Sequence, residues 1–250
     1  MTRSSRIILF VVLFFAVSAS LARAFDVKEA KSVFQKAVQA YHDGRYDEAV
    51  VLNEQVIANG FYSSALYYNL GNAYFKSRHS GKAIANYLRA RRLAPRDSDL
   101  RANLQFARTV VENFVPWKDA SPFALPGKFL SADELKWLSF FFLAFTGTFF
   151  IAALYAGLRR KRTVLFTGLL GLFSVYLAGA CVFQILQRSG EAVCVARVDA
   201  RFEPSQEATI YFKIPEGTEV KILRYKDLWC KIERCDGKMG WVPAASIERI

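Results

Sequence analysis

Residues 65–95 read "ALYYNLGNAYFKSRHSGKAIANYLRARRLAP". Leu70, Gly71, Tyr74, Ala83, Tyr87 and Ala90 recur at helical spacing in two runs, and Pro95 closes the second. The small residues are the informative ones. Gly71 and Ala83 let the two helices of a hairpin approach closely, and Ala90 leaves room for a following hairpin to stack. Pro95 cannot continue a helix, so it starts a turn.

The pattern recurs upstream. Ala37 and Gly71 lie 34 positions apart, as do Ala49 and Ala83, and Gln35 and Asn69. Around Ala49 the chain reads "AYHDGRYDEA" (40–49), with Gly44 as a tight turn between two helical runs. Paired helices on a 34-residue period are the signature of a repeat array. Tyr67, Leu70, Gly71, Tyr74, Ala83, Tyr87, Ala90 and Pro95 make residues 64–97 resemble a tetratricopeptide repeat. The preceding unit, 30–63, is degenerate, with Lys36 where the family has Leu and Phe61 where it has Pro. A third segment, "SDLRANLQFARTVVEN" (98–113), repeats the phase through Asn103 and Leu104 but has no second helix before Pro116. It is expected to be a capping helix. Residues 25–115 thus form an all-α array of two repeats and a cap, short of the three or so repeats that bury a continuous core. Such an array is expected to lean on a second copy of the chain, a protein partner or the membrane-proximal segment.

The resemblance implies a binding groove at Tyr68, Asn69, Asn72, Phe75 and Lys76, with Asn103 from the cap. The asparagines there either bond the backbone of an extended peptide or are simply residues the repeat prefers. A carboxylate clamp is not expected, because Asp99 stands where a cation would be needed. Arg89, Arg91, Arg92 and Arg96 line the other side of the repeat. They form either a solvated face or one that attracts anionic headgroups or an acidic partner.

The 250-residue chain is 53% hydrophobic and 22% charged, with a net charge of +12. That excess divides as +3 in residues 1–24, +4 in 25–115 and +5 in 137–189, with none in 116–136 or 190–250. Most of it lies in or beside hydrophobic segments, where cations set membrane orientation, so no nucleic-acid partner is expected. Residues 1–24 have a basic start (Arg3, Arg6), an apolar stretch (7–19) and an Ala22-Arg23-Ala24 site, which predicts signal cleavage between Ala24 and Phe25. Residues 137–158 and 163–186 carry no charge over 22 and 24 positions, enough for two transmembrane helices. Arg159, Arg160, Lys161 and Arg162 join them as a loop expected to stay cytoplasmic, which leaves the flanking parts outside.

The segment 116–136 reads as a linker with Trp117 and Phe123 at the lipid interface, ending in the capping box "SADE" (131–134). Residues 190–250 carry β signals. Val and Ile alternate, Pro215-Glu216-Gly217 marks a turn, and Asp236-Gly237 marks a two-residue hairpin turn, for five or six strands. "DARFEPS" (199–205), "IPEGTEVKIL" (214–223), "LWCKIE" (228–233) and "DGKMGWV" (236–242) resemble the bacterial SH3-like barrel. Tyr211, Trp229 and Trp241 either form an aromatic binding surface or fill the barrel. Cys194, Cys230 and Cys235 lie in this exported segment, where disulfides are allowed; Cys194 is the expected partner of Cys230 or Cys235. Cys181 lies within the second span.

No metal spacing, phosphate loop or nucleophile motif is visible; His42 and His79 fall in turns. The chain is expected to be non-enzymatic and to need no cofactor. The fold class is mixed and multi-domain: a repeat array, a two-helix transmembrane hairpin and a small all-β barrel. In that order, with "NLQFAR" and "LSADELKW" as further carriers, the chain resembles BatE-type proteins of the bacterial aerotolerance operons. The resemblance implies a scaffold in the inner membrane with both soluble parts periplasmic, acting in aerotolerance or envelope stress. Its implied partners are membrane proteins with von Willebrand A domains and a linked MoxR-type AAA+ ATPase. The barrel alternatively implies a module that binds or senses peptidoglycan.

The basic loop yields a first prediction. A reporter that matures only outside the cytoplasm is expected to be active when fused after Ile250 and silent when inserted at 159–162. The opposite pattern would reverse the topology.

Overall fold

The structure, a computed structural model, describes residues 27–112, 114, 115, 117, 121–155 and 161–250. The signal-cleavage pair Ala24 and Phe25 and the loop cations Arg159 and Arg160 lie outside the described residues. The chain divides into two compact units, up to Tyr62 and Ser63–Ile250.

The first unit holds helix α1 (residues 27–42) and helix α2 (Tyr46–Ala58). Ala37, Ala40, Ala49 and Val56 are buried, as the helical period requires. Gly44 turns between the helices at φ +78°. Gly60, at φ +82°, ends α2: Gly60 N donates to Ile57 O at 2.9 Å and Phe61 N to Val56 O at 3.3 Å, a Schellman closure that a Cβ would strain.

The second unit opens with helix α3 (Ser64–Lys76), whose Ser63 cap accepts from Leu66 N at 3.1 Å. Its C-terminal turn repeats the conformation of Gly44 one period later. Arg78 sits at φ +63°, and His79 N donates to Tyr74 O at 2.9 Å. A non-glycine residue there costs roughly 1–2 kcal/mol, so the repeat geometry holds the turn against local preference. Helix α4 (Ser80–Leu93) follows, with Ala83, Ile84, Ala85, Tyr87, Leu88 and Ala90 all buried. Those positions circle the helix, so α4 is covered on every side rather than on one stripe. Helix α5 (Ser98–Thr109) is the cap, started by Asp97, which accepts from Asp99 N and Leu100 N at 3.0 Å.

Two 3₁₀ turns, Pro122–Ala124 and Pro126–Lys128, lead to helix α6 (Ala132–Tyr155) and helix α7 (Lys161–Arg188). The capping box forms as read: Ser131 N donates to Glu134 Oε2 at 2.8 Å, and Glu134 N to Ser131 Oγ at 3.2 Å. These bonds, the backbone one foremost, hold the Glu134 carboxyl below its ordinary pKa. Both helices are long and apolar enough to cross a membrane. Each begins earlier than its uncharged stretch, because a helix continues through flanking charges that a bilayer core would not accept. They meet through Leu135, Leu177 and Ala180, and Thr146 Oγ1 lies 3.1 Å from Ser174 Oγ.

The C-terminal part is an antiparallel sheet of seven strands, one or two more than the sequence signals mark. They are β1 (Glu191–Cys194), β2 (Val198–Arg201), β3 (Ile210–Ile214), β4 (Glu219–Lys226), β5 (Trp229–Arg234), β6 (Met239–Pro243) and β7 (Ile247–Arg249), in the order β3-β2-β6-β5-β4-β1-β7. The extra strands are short and pair at the sheet's edge, where alternation has too few residues to register. The β5–β6 loop holds four residues, 235–238, rather than two, because Arg234 N bonds Lys238 O at 2.9 Å and Gly237 takes φ +81° between them. Val220, Ile214, Ile232, Val242 and Ala200 form the core.

Gly71 bears out the close approach read from the sequence, with a different neighbour in front. A Cβ there would lie 2.7 Å from two ring carbons of Tyr87 and 3.3 Å from Ala83 O. Tyr87 is 2% exposed and its hydroxyl is held, so the ring cannot swing away. Sequence propensity alone would make alanine welcome, by about 1 kcal/mol. Overpacking of about 1–3 kcal/mol outweighs that gain. Gly71→Ala is therefore expected to lower the stability of the full chain and Gly71→Leu to lower it further, both measured by thermal melting in detergent. A Gly71→Ala protein as stable as wild type would refute the steric account.

Candidate interaction surfaces

Helices α3 and α5 lie side by side and bring together four of the six expected groove residues. Asn103 Nδ2 donates to Tyr68 Oη at 2.9 Å and to Asn72 Oδ1 at 3.0 Å. Tyr87 Oη donates to the same Asn72 oxygen at 2.7 Å. Phe75 completes the face by packing on Phe106 of α5, with ring centroids 5.5 Å apart. Asn72 is thus a structural junction between α3, α4 and α5. Its carbonyl oxygen already accepts two bonds, which leaves no lone pair for a peptide. Asn69 and Lys76 sit on the same helix, Lys76 exposed, without a hydrogen bond among the described residues. Phe106, 61% exposed, was missed from the sequence. Its signal was the spacing Asn103–Phe106, one turn along the cap.

The arginine side of α4 is not a solvated face. Arg89 pairs with Glu248 and bonds Arg249 O. Arg92 pairs with Glu191 at 2.7 Å and bonds Ile250 O. Gly81 N, in the first turn of α4, donates to Glu216 Oε1 at 2.7 Å, where the helix dipole favours a carboxylate. From α5, Arg108 Nε donates to Glu219 Oε1 at 2.8 Å. The acidic partner weighed for these arginines is therefore the chain's own barrel. A Cβ on Gly81 would run into Cys194 O, and one on Gly217 would lie 2.6 Å from Val111. Arg96 pairs instead with Glu134 at the start of α6. Sequence gave no pointer to this interface, since glutamates of the barrel pair across about 100–160 positions.

The barrel's three aromatics separate. Trp241, 5% exposed, is covered by Arg224, whose guanidinium lies 4.9 Å from its ring. Trp229 is half-buried two positions along the same face, opposite Pro243. Tyr211 lies on β3 and packs against Phe202, ring centroids 4.5 Å apart and planes tilted by 31°, both exposed. Trp241 is thus buried beneath Arg224 and outside the barrel's core cluster, and the exposed aromatic surface falls to Tyr211 with Phe202.

The expected disulfide is not formed. Cys194, Cys230 and Cys235 are free thiols, as is Cys181. Cys194 and Cys230 belong to the barrel core, where they act as small apolar side chains. Burial pushes the Cys194 thiol up to about 12 and the Cys230 thiol up to about 11, and also raises that of Cys235 in the β5–β6 loop. Lys161 and Arg162 begin α7. Among the described residues no cluster of three or more His, Cys, Asp or Glu is placed to hold a metal ion.

Comparison with known families agrees with this architecture at two places. Residues 64–97 match the tetratricopeptide repeat, the bounds given by α3, α4 and the turn before α5. Residues 196–248 match the bacterial SH3 domain. Among curated proteins the comparison finds no match. The chain thus carries a tetratricopeptide repeat, two apolar helices and a bacterial SH3 domain.

The repeat–barrel contacts differ in depth, which sets their weight. The side chains of Arg108 and Glu219 are 20% and 11% exposed, whereas those of Arg197 and Glu112 are 67% and 60% exposed. Arg108→Gln is expected to cost roughly 1.5–3 kcal/mol, the range for hydrogen bonds to charged groups. Arg197→Gln should cost about 0–1 kcal/mol, as exposed pairs do. Thermal melting of the full chain, with limited proteolysis between repeat and barrel, checks both. Equal effects would mean the two pairs do not differ in burial as described.

Proposed function

We propose that the chain is a non-enzymatic, membrane-anchored scaffold that presents its repeat to protein partners on the periplasmic face of the bacterial inner membrane. The observation that carries this is the open α3–α5 face, where Phe75, Phe106 and Lys76 present apolar and basic contacts beside the Asn72–Asn103 junction. Tetratricopeptide repeats serve protein–protein interaction, and the opposite side of this one is already occupied by the barrel. The topology follows from the cationic loop at 159–162 and the signal-like N-terminus. α6 and α7 then anchor the assembly as two spans.

The resemblance to BatE-type proteins supplies the partners: membrane proteins with von Willebrand A domains, acting with a MoxR-type ATPase in aerotolerance or envelope stress. A second copy of the chain is the other occupant of such a face. A cell-wall function for the barrel is favoured by one observation, the exposed Phe202–Tyr211 pair, two apolar rings tilted by 31° that a peptide or sugar face can meet.

The test uses the full chain, since α4 is buried against the barrel and an isolated repeat would lose that cover. Lys76→Ala and Phe106→Ala are expected to leave melting unchanged and to reduce co-purification of von Willebrand A-domain proteins severalfold. Asn72→Ala is a poor probe: it strands the buried Tyr87 hydroxyl and should cost about 1–3 kcal/mol. Unchanged capture by both exposed variants would remove the groove as the binding site. Loss of peptidoglycan co-sedimentation in Tyr211→Ala, with partner capture intact, would favour the cell-wall function instead.

A further inference from the structure

Where the C-terminal ends of α4 and α7 meet the 3₁₀ turn before α6, a cavity of about 330 Å³ opens. Its charged lining is Arg91, Arg92, Arg101, Lys128 and Arg188 against the single carboxylate of Glu191. Gln184 of α7 also lines it, only 5% exposed, and neither its amide nitrogen nor its amide oxygen has a hydrogen-bond partner among the described residues. A buried, unpaired amide costs free energy unless something fills the site. Arg92 repeats the observation: its Nη atoms reach Glu191 and Ile250 O, while its Nε is buried and unpaired among the described residues. Arg91 has no ion pair or hydrogen bond among the described residues. Burial, and then the charge of Arg108, push its pKa below the ordinary arginine value. Five cations gathered around one acid, with orphaned donors among them, are a site waiting for an anion.

Geometry narrows the anion. Guanidinium groups present paired N–H donors that match phosphate oxygens, and lysine adds a point charge. The space far exceeds the roughly 10–15 Å³ that one water needs. Leu125 and Phe129, the chain neighbours of the lining residues Ala124 and Lys128, are apolar and 54% and 59% exposed. Gln184 and Arg188 stand in the last turns of α7, next to its apolar stretch. At the end of a membrane span, that is the depth of lipid phosphates.

We propose that this cavity binds a phosphate group, supplied by an anionic lipid headgroup or by free phosphate. The lipid source rests on α6 and α7 spanning the membrane; the anion site itself does not.

The experiment uses the full chain in detergent, with phosphatidylglycerol and inorganic phosphate as separate probes. Native mass spectrometry counts retained lipid, and thermal melting reports binding of either probe. Wild type is expected to retain one phosphatidylglycerol. Arg91→Gln should weaken retention at least tenfold and Lys128→Gln severalfold, each with unchanged melting in lipid-free detergent; Lys128, at the exposed rim, serves if Arg91→Gln disturbs the fold. Gln184→Leu is the sharper probe. An amide that served only packing would lose stability when replaced, whereas one reserved for a ligand should melt no lower without lipid and retain less lipid. Binding of inorganic phosphate alone identifies free phosphate as the source. Retention of phosphatidylglycerol undisplaced by phosphate identifies the headgroup. If neither probe binds, or if the variants bind as wild type does, the site is refuted. Binding in detergent needs neither a partner protein nor a fixed orientation, so its failure leaves the scaffold untouched. A chain that failed to fractionate with membranes would instead overturn the anchoring and, with it, the lipid source.

Discussion

Four barrel carboxylates hold the tetratricopeptide repeat and the helix α5 that follows it, and the arrangement of the Ser63–Ile250 unit follows from that grip. Glu191 and Glu248 take the arginines on the side of α4, Glu216 takes the amide of its first turn, and Glu219 takes Arg108 of the cap. Each pair is partly withdrawn from water, so the desolvation of two charges offsets much of the attraction between them. What such pairs supply is register more than net stability. Moved one residue along α4, Arg89 and Arg92 would leave two carboxylates half-buried and unpaired. The apolar contacts beneath, Ile84 and Val111 around Gly217, provide the burial that the charges align.

This docking decides which surfaces are left for other molecules. Arg89 and Arg92, on the side of α4 that looks basic in the sequence, are engaged from within, and Trp241 lies under Arg224. The open aromatic surfaces are the α3–α5 face with Phe106 and the Phe202–Tyr211 corner. Arg96 ties the same repeat to Glu134 at the head of α6, although a pair so exposed contributes little by itself. Its position matters more than its strength, because it marks where the repeat stands over the apolar hairpin.

The elements with a strong period were legible. The 34-residue spacing placed α3 and α4, the capping box placed the start of α6, and uncharged length placed α6 and α7. Three-residue edge strands such as β7 were not, since alternation over so few positions resembles any loop. At the site level the sequence named Asn72 and Asn103 but not their bond to one another, which is a fact of helix stacking. It named the arginines of α4 but not their partners, because a charge pattern on one helix says nothing of a glutamate 159 positions away. The cysteines show the same limit: thiols in a segment read from its sequence as exported permit a bridge, while core packing can use them as small apolar residues.

A repeat array buries its helices by stacking, so the last hairpin exposes a face that a further repeat would cover. Here α5 covers one part of α4 and has no partner helix among the described residues. The rest of α4 is nonetheless buried all round, down to Ala85 and Leu88, positions that a terminal repeat would normally leave wet. The strands β1 and β7 fill that place. A small barrel can do so because its edge offers what a helix would: apolar contact at Gly217, close backbone approach at Gly81, and carboxylates spaced to meet arginines one turn apart. The glycine at 81 is the geometric condition, since any side chain there would meet the Cys194 carbonyl and lift the helix off the sheet. The barrel thus supplies a neighbour that α4 lacks among the described helices, and closes the core of the tetratricopeptide repeat with a different fold.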